Sequence, residues 1–209
     1  MELLLKYFPD LDSRRLELYR GLAERLAFWN ERINLVSRKD IEQLPVRHIL
    51  HSLGIAAHCR FDEGDTVLDV GTGGGFPGLP LAIMFPGVRF TLIDSIGKKI
   101  RAVEDVSGSL GLHNVRCIQV RAEEFREKNF YVVSRAVASL DRFTGWVRKN
   151  LDGGDGNGRE PGIWYLKGGD LEKELAGFVG ASVYPLSEDF NEAFFETKKL
   201  IWLPANSLP

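Results

Sequence analysis

Val67–Ala82 reads VLDVGTGGGFPGLPLA. Five glycines fall within the eight positions from Gly71 to Gly78, between two apolar runs. Glycine weakens both strand and helix interiors. Such a cluster between two elements points to something that must approach the backbone closely.

Around this stretch, short β-branched runs alternate with helical ones. Strands are expected at Thr66–Val70, Val88–Asp94, Val115–Val120, Tyr131–Arg135 and Ile163–Lys167. Helices are expected between them, at Pro77–Phe85, Lys98–Leu110, Leu140–Asn150 and Leu171–Val179. This alternation predicts an α/β fold with a mostly parallel, doubly wound sheet. Val183–Leu186 and Phe194–Trp202 have strand character without a helix between them, which predicts a C-terminal antiparallel hairpin. Asp152–Gly162, DGGDGNGREPG, reads as a loop.

Upstream the pattern is helical. Leu16, Tyr19, Leu22, Leu26, Trp29 and Ile33 recur at helical spacing, with Asp12 or Ser13 as N-cap. A second helical region spans Asp40–Cys59, interrupted near Pro45. Residues 1–60 are expected to form an N-terminal helical cap on a domain of residues 61–209, one compact unit in all.

The 209 residues are 44% hydrophobic and 27% charged, a globular composition. No run approaches the roughly 18 apolar residues of a membrane span. The N-terminus lacks the basic start of a secretory signal. Cys59 and Cys117 stand alone, which speaks against zinc and redox motifs and fits reduced thiols in the cytoplasm. Net charge is −2 and uneven: +2 over residues 1–60, +1 over 61–149, −5 over 150–209. A basic face is permitted, not required.

A glycine-rich turn after the first strand of such a sheet is the usual cofactor cradle. Asp94 ends the second strand, 23 residues after Gly71, where it suits a ribose diol. Read literally, Gly73-x-Gly75-x-x-Gly78 is a dinucleotide fingerprint. Asp69 gives instead Asp69-x-Gly71-x-Gly73-x-Gly75. A carboxylate there would repel a pyrophosphate and suit a cationic ligand such as S-adenosylmethionine. Three readings stand at this point: that cofactor, which Asp69 favours, a dinucleotide, and a purely structural turn.

Further blocks carry a resemblance. DVGTGGGFPGLPLA, LIDSIGKKIRAV, RAEEF, SRAVASL and YLKGG occur in the order and spacing of the bacterial small-subunit rRNA methyltransferase G family, also called glucose-inhibited division protein B. NERINLVS and VRHILHSL fit as well. The resemblance implies a Rossmann-like class I S-adenosylmethionine-dependent methyltransferase. It implies methyl transfer to N7 of a guanine in the decoding-region loop of 16S rRNA, within the small ribosomal subunit. A monomer without metal or membrane association is expected. Two departures stand out. His51 occupies a position where the family usually has Asp, and ETKKLIW replaces a basic final strand.

The expected cofactor residues are Asp69, Gly71, Gly73, Phe76, Asp94, Ala122, Glu123 and Arg135. By resemblance, Ala122 and Glu123 flank the adenine. Arg135 closes the apolar run FYVVSRA, where a guanidinium is costly unless paired. A cofactor carboxylate or an RNA phosphate would suit its fork. The expected RNA-facing residues are Arg47, His48, Lys98, Lys99 and Lys167. Phosphate contacts are drawn from Arg32, Arg38, Lys39, Arg47, Lys98, Lys99, Arg101, Arg142, Arg148 and Lys149. No general base or nucleophile is expected. Ser134 and Ser139 lack a triad, and His48 with His51 lacks a third metal ligand.

Overall fold

A computed structural model describes residues 1–153 and 159–208, apart from the side chains of Arg38 and Lys39. The middle of the expected Asp152–Gly162 loop thus lies outside the described residues, as do the side chains of the two expected phosphate contacts Arg38 and Lys39.

Seven strands form one sheet: β1 Thr66–Val70, β2 Arg89–Asp94, β3 Val115–Gln119, β4 Tyr131–Arg135, β5 Gly162–Gly168, β6 Ser182–Pro185 and β7 Lys198–Pro204. Their order is β3-β2-β1-β4-β5-β7-β6. The first five run parallel, and β7 is antiparallel to both β5 and β6. The chain moves outward from β1 to β3, then returns to lay β4 on the other side of β1. That reversal opens a crevice beyond the carboxyl ends of β1 and β4, where open α/β sheets bind ligands.

The central strands read as continuous apolar runs because both faces are covered. Val67, Leu92, Val133, Leu166 and Leu200 join one core with Leu22, Leu26 and Leu50 of the N-terminal helices. Their neighbours Leu68, Ile93, Val132, Tyr165 and Ile201 join the other, with Leu140, Phe143 and Val147. The period-two alternation of side chains along a strand splits the two sets.

The helices are α1 Glu2–Tyr7, α2 Ser13–Asn30, α3 Arg38–Ile41, α4 His51–His58, α5 Gly78–Met84, α6 Gly97–Ser109, α7 Leu140–Val147 and α8 Glu172–Leu175. Asp12 caps α2, its carboxylate accepting from the Arg15 N–H at 2.7 Å. Pro45 opens a π-helical turn, Pro45–Leu50, that runs into α4. Proline is tolerated there because the first helical N–H lacks a partner anyway. The widened turn carries Arg47 and His48.

Two expectations shift. The helix expected over Leu171–Val179 is a single turn, α8, because Gly177 follows it and Gly180 takes a positive φ of 95°. The strand expected from Phe194 begins only at Lys198. Ala193–Thr197 is a 3₁₀ turn that buries Phe195. Adjacent Phe194 and Phe195 break the alternation a strand needs.

Candidate cofactor and RNA site

The glycine turn is built on two carboxylates. Gly71, Gly73 and Gly75 take φ of 69°, 58° and 90°, the left-handed region that favours glycine. Beneath the turn, Asp69 is fully buried. Its Oδ2 accepts from the Thr72 hydroxyl at 2.7 Å and the Gly78 N–H at 2.8 Å. Its Oδ1 has no partner among the described residues. Burial pushes this carboxyl up to about 7, opposed by the Thr72 and Gly78 hydrogen bonds. Above, at the end of β2, Asp94 accepts from Gly73 N–H at 3.0 Å and Ile96 N–H at 2.9 Å. Each of its oxygens keeps lone-pair capacity for a ligand.

A cavity of about 420 Å³ opens at the switch point. Gly71, Asp94, Ala122, Glu123 and Arg135 line it, as do Lys99 and Arg142. The apolar walls are Ile96, Val120, Val137 and Trp146, with Arg142 over the Trp146 ring at 5.1 Å. A Cβ on Gly71 would stand 2.6 Å from Val137, so a bare backbone keeps this wall open. The apolar walls could hold an adenine, Asp94 could take a ribose, and Gly71 with Arg135 could hold an amino-acid group. These groups suit S-adenosylmethionine.

Asp69 and Phe76 do not line this cavity. Asp69 holds the turn from below. Phe76 is buried, its ring 4.9 Å from that of His48 and 5.0 Å from the Arg135 guanidinium. Gly73 reaches the cavity through its bond to Asp94. Arg135 Nη2 meets His48 Nδ1 at 2.8 Å, and Nη1 donates to the Arg47 carbonyl at 3.3 Å. No carboxylate pairs with it among the described residues, and burial pushes it down to about 10. His48 is pushed down to about 3, by burial first and then by the Arg135 charge.

The expected RNA-facing residues scatter. Lys99 sits in the cavity, while Lys98 is exposed on a neighbouring groove with Asn30, Arg32 and Asn34. Arg47 is paired with Asp40 at 2.6 Å. Lys167 is bound by Glu174 and the Ala138 carbonyl, so it braces the loop after β4 and is not aimed into the cavity. His51 is buried against Phe194 and Phe195.

Sequence reasoning missed Ile96 and Trp146 as walls. It also missed Tyr165, whose hydroxyl accepts from Val137 and Ala138 N–H and donates to the Ala138 carbonyl. The one signal in the sequence is Ile96, an apolar residue two positions after Asp94. Among the described residues, no group of three or more His, Cys, Asp or Glu side chains is placed to hold a metal ion. No helix there is long and apolar enough to cross a membrane.

Solved structures share this architecture. A methyltransferase from Aquifex aeolicus, described as SAM-dependent, is 15% identical, with a TM-score of 0.55 over 81% of this chain and 99% of its own. A mutant of MtNAS in complex with S-adenosylmethionine is also 15% identical. It gives a TM-score of 0.56 over 90% of this chain and 72% of its own. The fold is the Rossmann-like fold of S-adenosylmethionine-dependent methyltransferases.

Sequence relatives narrow the class. The family profile described as rRNA small subunit methyltransferase G matches residues 15–181. Proteins named ribosomal RNA small subunit methyltransferase G are similar over the full chain. The one from Flavobacterium johnsoniae is 49% identical over 100% of both chains. That from Christiangramia forsetii is 50% identical over 98% of this chain and 97% of its own. The chain belongs to the rRNA small subunit methyltransferase G family.

Proposed function

We propose that this protein transfers the methyl group of S-adenosylmethionine to N7 of a guanine in the decoding-region loop of 16S rRNA. The coarse reaction follows from family membership: S-adenosylmethionine is the methyl donor and small-subunit rRNA the acceptor. The observation that carries the site is the switch-point cavity, with Asp94 at one end and Arg135 at the other.

The choice of N7 has chemical support. The ionisable groups lining the cavity are the carboxylates Asp94 and Glu123 and the cations Lys99, Arg121, Arg135 and Arg142, with no imidazole among the described residues. With Asp94 given to the ribose and Glu123 to the adenine, neither carboxylate is left to take a proton from the acceptor, which suits one that presents a free lone pair and gives up no proton. Guanine N7 is one; an exocyclic amine or a hydroxyl would ask for a general base.

When bound, the cofactor supplies a methyl already activated by the sulfonium charge. The residues of this chain align it. Asp94 takes the ribose hydroxyls, Gly71 admits the amino-acid half, and Arg135 takes its carboxylate. Alignment of two reactants can remove roughly 7–11 kcal/mol of a barrier. Ala122 and Glu123 border the adenine, and Lys98 with Arg32 lies where RNA would approach the first turn of α6. The slight negative net charge suits a substrate offered by an assembled ribosomal subunit. Residues 1–60 serve as a helical cap on the cofactor-binding domain.

The test supplies labelled methyl donor with unmodified 30S subunits and, in parallel, naked 16S rRNA. The expected label maps to a guanine N7 by cleavage with borohydride and aniline, and is stronger on subunits. Label on another atom, or none despite cofactor binding, overturns the reading. Thermal stabilisation by NADH rather than S-adenosylhomocysteine would return the cavity to the dinucleotide reading.

A further inference from the structure

Arg135 enters the cavity from a side that the glycine turn does not cover. Its guanidinium has five N–H groups and accepts nothing. One goes to the Arg47 carbonyl and one to His48 Nδ1. The other three meet neither of these groups and are the ones a ligand could take. A guanidinium can only donate, so His48 Nδ1 is the acceptor and the ring proton sits on Nε2. That Nε2 is buried and has no partner among the described residues. A phenylalanine would pack against Phe76 without stranding a polar atom. What the imidazole adds at this position is the Nδ1 lone pair. Burial and the Arg135 charge keep the ring neutral, the form that can accept.

The strand order says which anion Arg135 awaits. Gly71 and Arg135 end neighbouring strands β1 and β4. Asp94 and Ala122 lie towards β2 and β3, where an adenosine belongs. The amino-acid end of the cofactor therefore falls beside Arg135.

We propose that His48 is a positioning residue: through Nδ1 it holds the Arg135 guanidinium in the orientation that receives the carboxylate of S-adenosylmethionine. This rests on the cofactor reading of the cavity given above. The π-helical turn at Pro45–Leu50 is then part of the cofactor site, although none of its residues lines the cavity.

The experiment is calorimetric titration of the intact protein with S-adenosylmethionine and with its decarboxylated analogue. Wild type is expected to prefer the carboxylate form about tenfold or more, as a charged hydrogen-bonded pair would give. His48→Leu should lose most of that preference while binding the decarboxylated analogue as before. His48→Asn, whose oxygen falls near the Nδ1 position, should keep it. Should His48→Leu fail to fold, His48→Gln serves, because its oxygen falls towards Nε2 instead.

Equal losses on both ligands, or equal behaviour of the Leu and Asn variants, would mark His48 as packing alone and overturn the inference. A wild type without preference would overturn it too. Binding of neither ligand sinks the cofactor reading and the inference together. Normal binding without RNA labelling sinks only the rRNA reading, because titration alone decides the role of His48.

Discussion

Asp69 and Asp94 lie towards the ends of neighbouring strands, and both accept backbone N–H groups from the glycine turn or its flanks. Their surroundings set them apart. Asp69 lies in the dry floor beneath the turn, with one oxygen stranded and its carboxyl pushed up to about 7. Asp94 lies on the rim, in the cavity wall, with room for a ligand. Two identical side chains therefore divide the labour: the floor shapes the turn, and the rim faces the cavity. A motif names the residues, but burial assigns their roles.

The largest effect should come from the rim. Asp94→Ala and Arg135→Ala are each expected to weaken cofactor binding about 100-fold, as losing charge-assisted hydrogen bonds does. Both should cut methyl transfer at limiting cofactor to match while the fold survives. Circular dichroism and titration with S-adenosylhomocysteine check this; wild-type affinity in either variant would erase the rim's special status.

Next comes the turn between floor and rim. Gly71→Ala puts a side chain at a φ of 69° and within 2.6 Å of Val137. About 1–2 kcal/mol of backbone strain is expected, seen as a melting point lower by several degrees and about tenfold weaker cofactor binding.

The floor should answer to pH instead. The Asp69 carboxyl is raised in the folded state, so its stabilising contribution is complete below about pH 4, the unfolded value. It is lost as pH rises towards 7. Asp69→Asn removes this loss. Its stability relative to wild type should climb by about 4 kcal/mol between roughly pH 4 and pH 7, three pKa units at about 1.4 kcal/mol each. Urea denaturation at several pH values measures it, and a constant gap would refute it.

The smallest effects separate the two lysines. Lys98→Ala should weaken RNA binding a few-fold and lower the salt slope by about one. Lys167→Ala should leave RNA binding unchanged, because its ammonium is held by Glu174 and Ala138.

Much of this was legible before the fold. The glycine turn, the parallel strands and the cap of α2 are local, and periodicity or a capping residue announces each. Asp94 and Gly71 follow from position at strand ends. The Phe76–His48–Arg135 cluster was not legible as a unit, since its members come from three separate elements. Nor was Trp146, which sits in the last turn of α7 and becomes a cavity wall only once the sheet places that helix. The short α8 shows the opposite failing: apolar spacing suggested a helix that glycines cut to a turn. Lys167 ends a strand as Asp94 does, but a partner 7 residues on claims it.

The sheet order also bears on how the protein is made. β7 fills the slot between β5 and β6, and among the described residues β6 pairs with no other strand. Both therefore keep open edges until β7, which follows them in the chain, has been made. The sheet that frames the switch-point cavity is complete only once that strand has slotted in. Until then, a nascent chain presents the bare edges of β5 and β6 to whatever lies nearby.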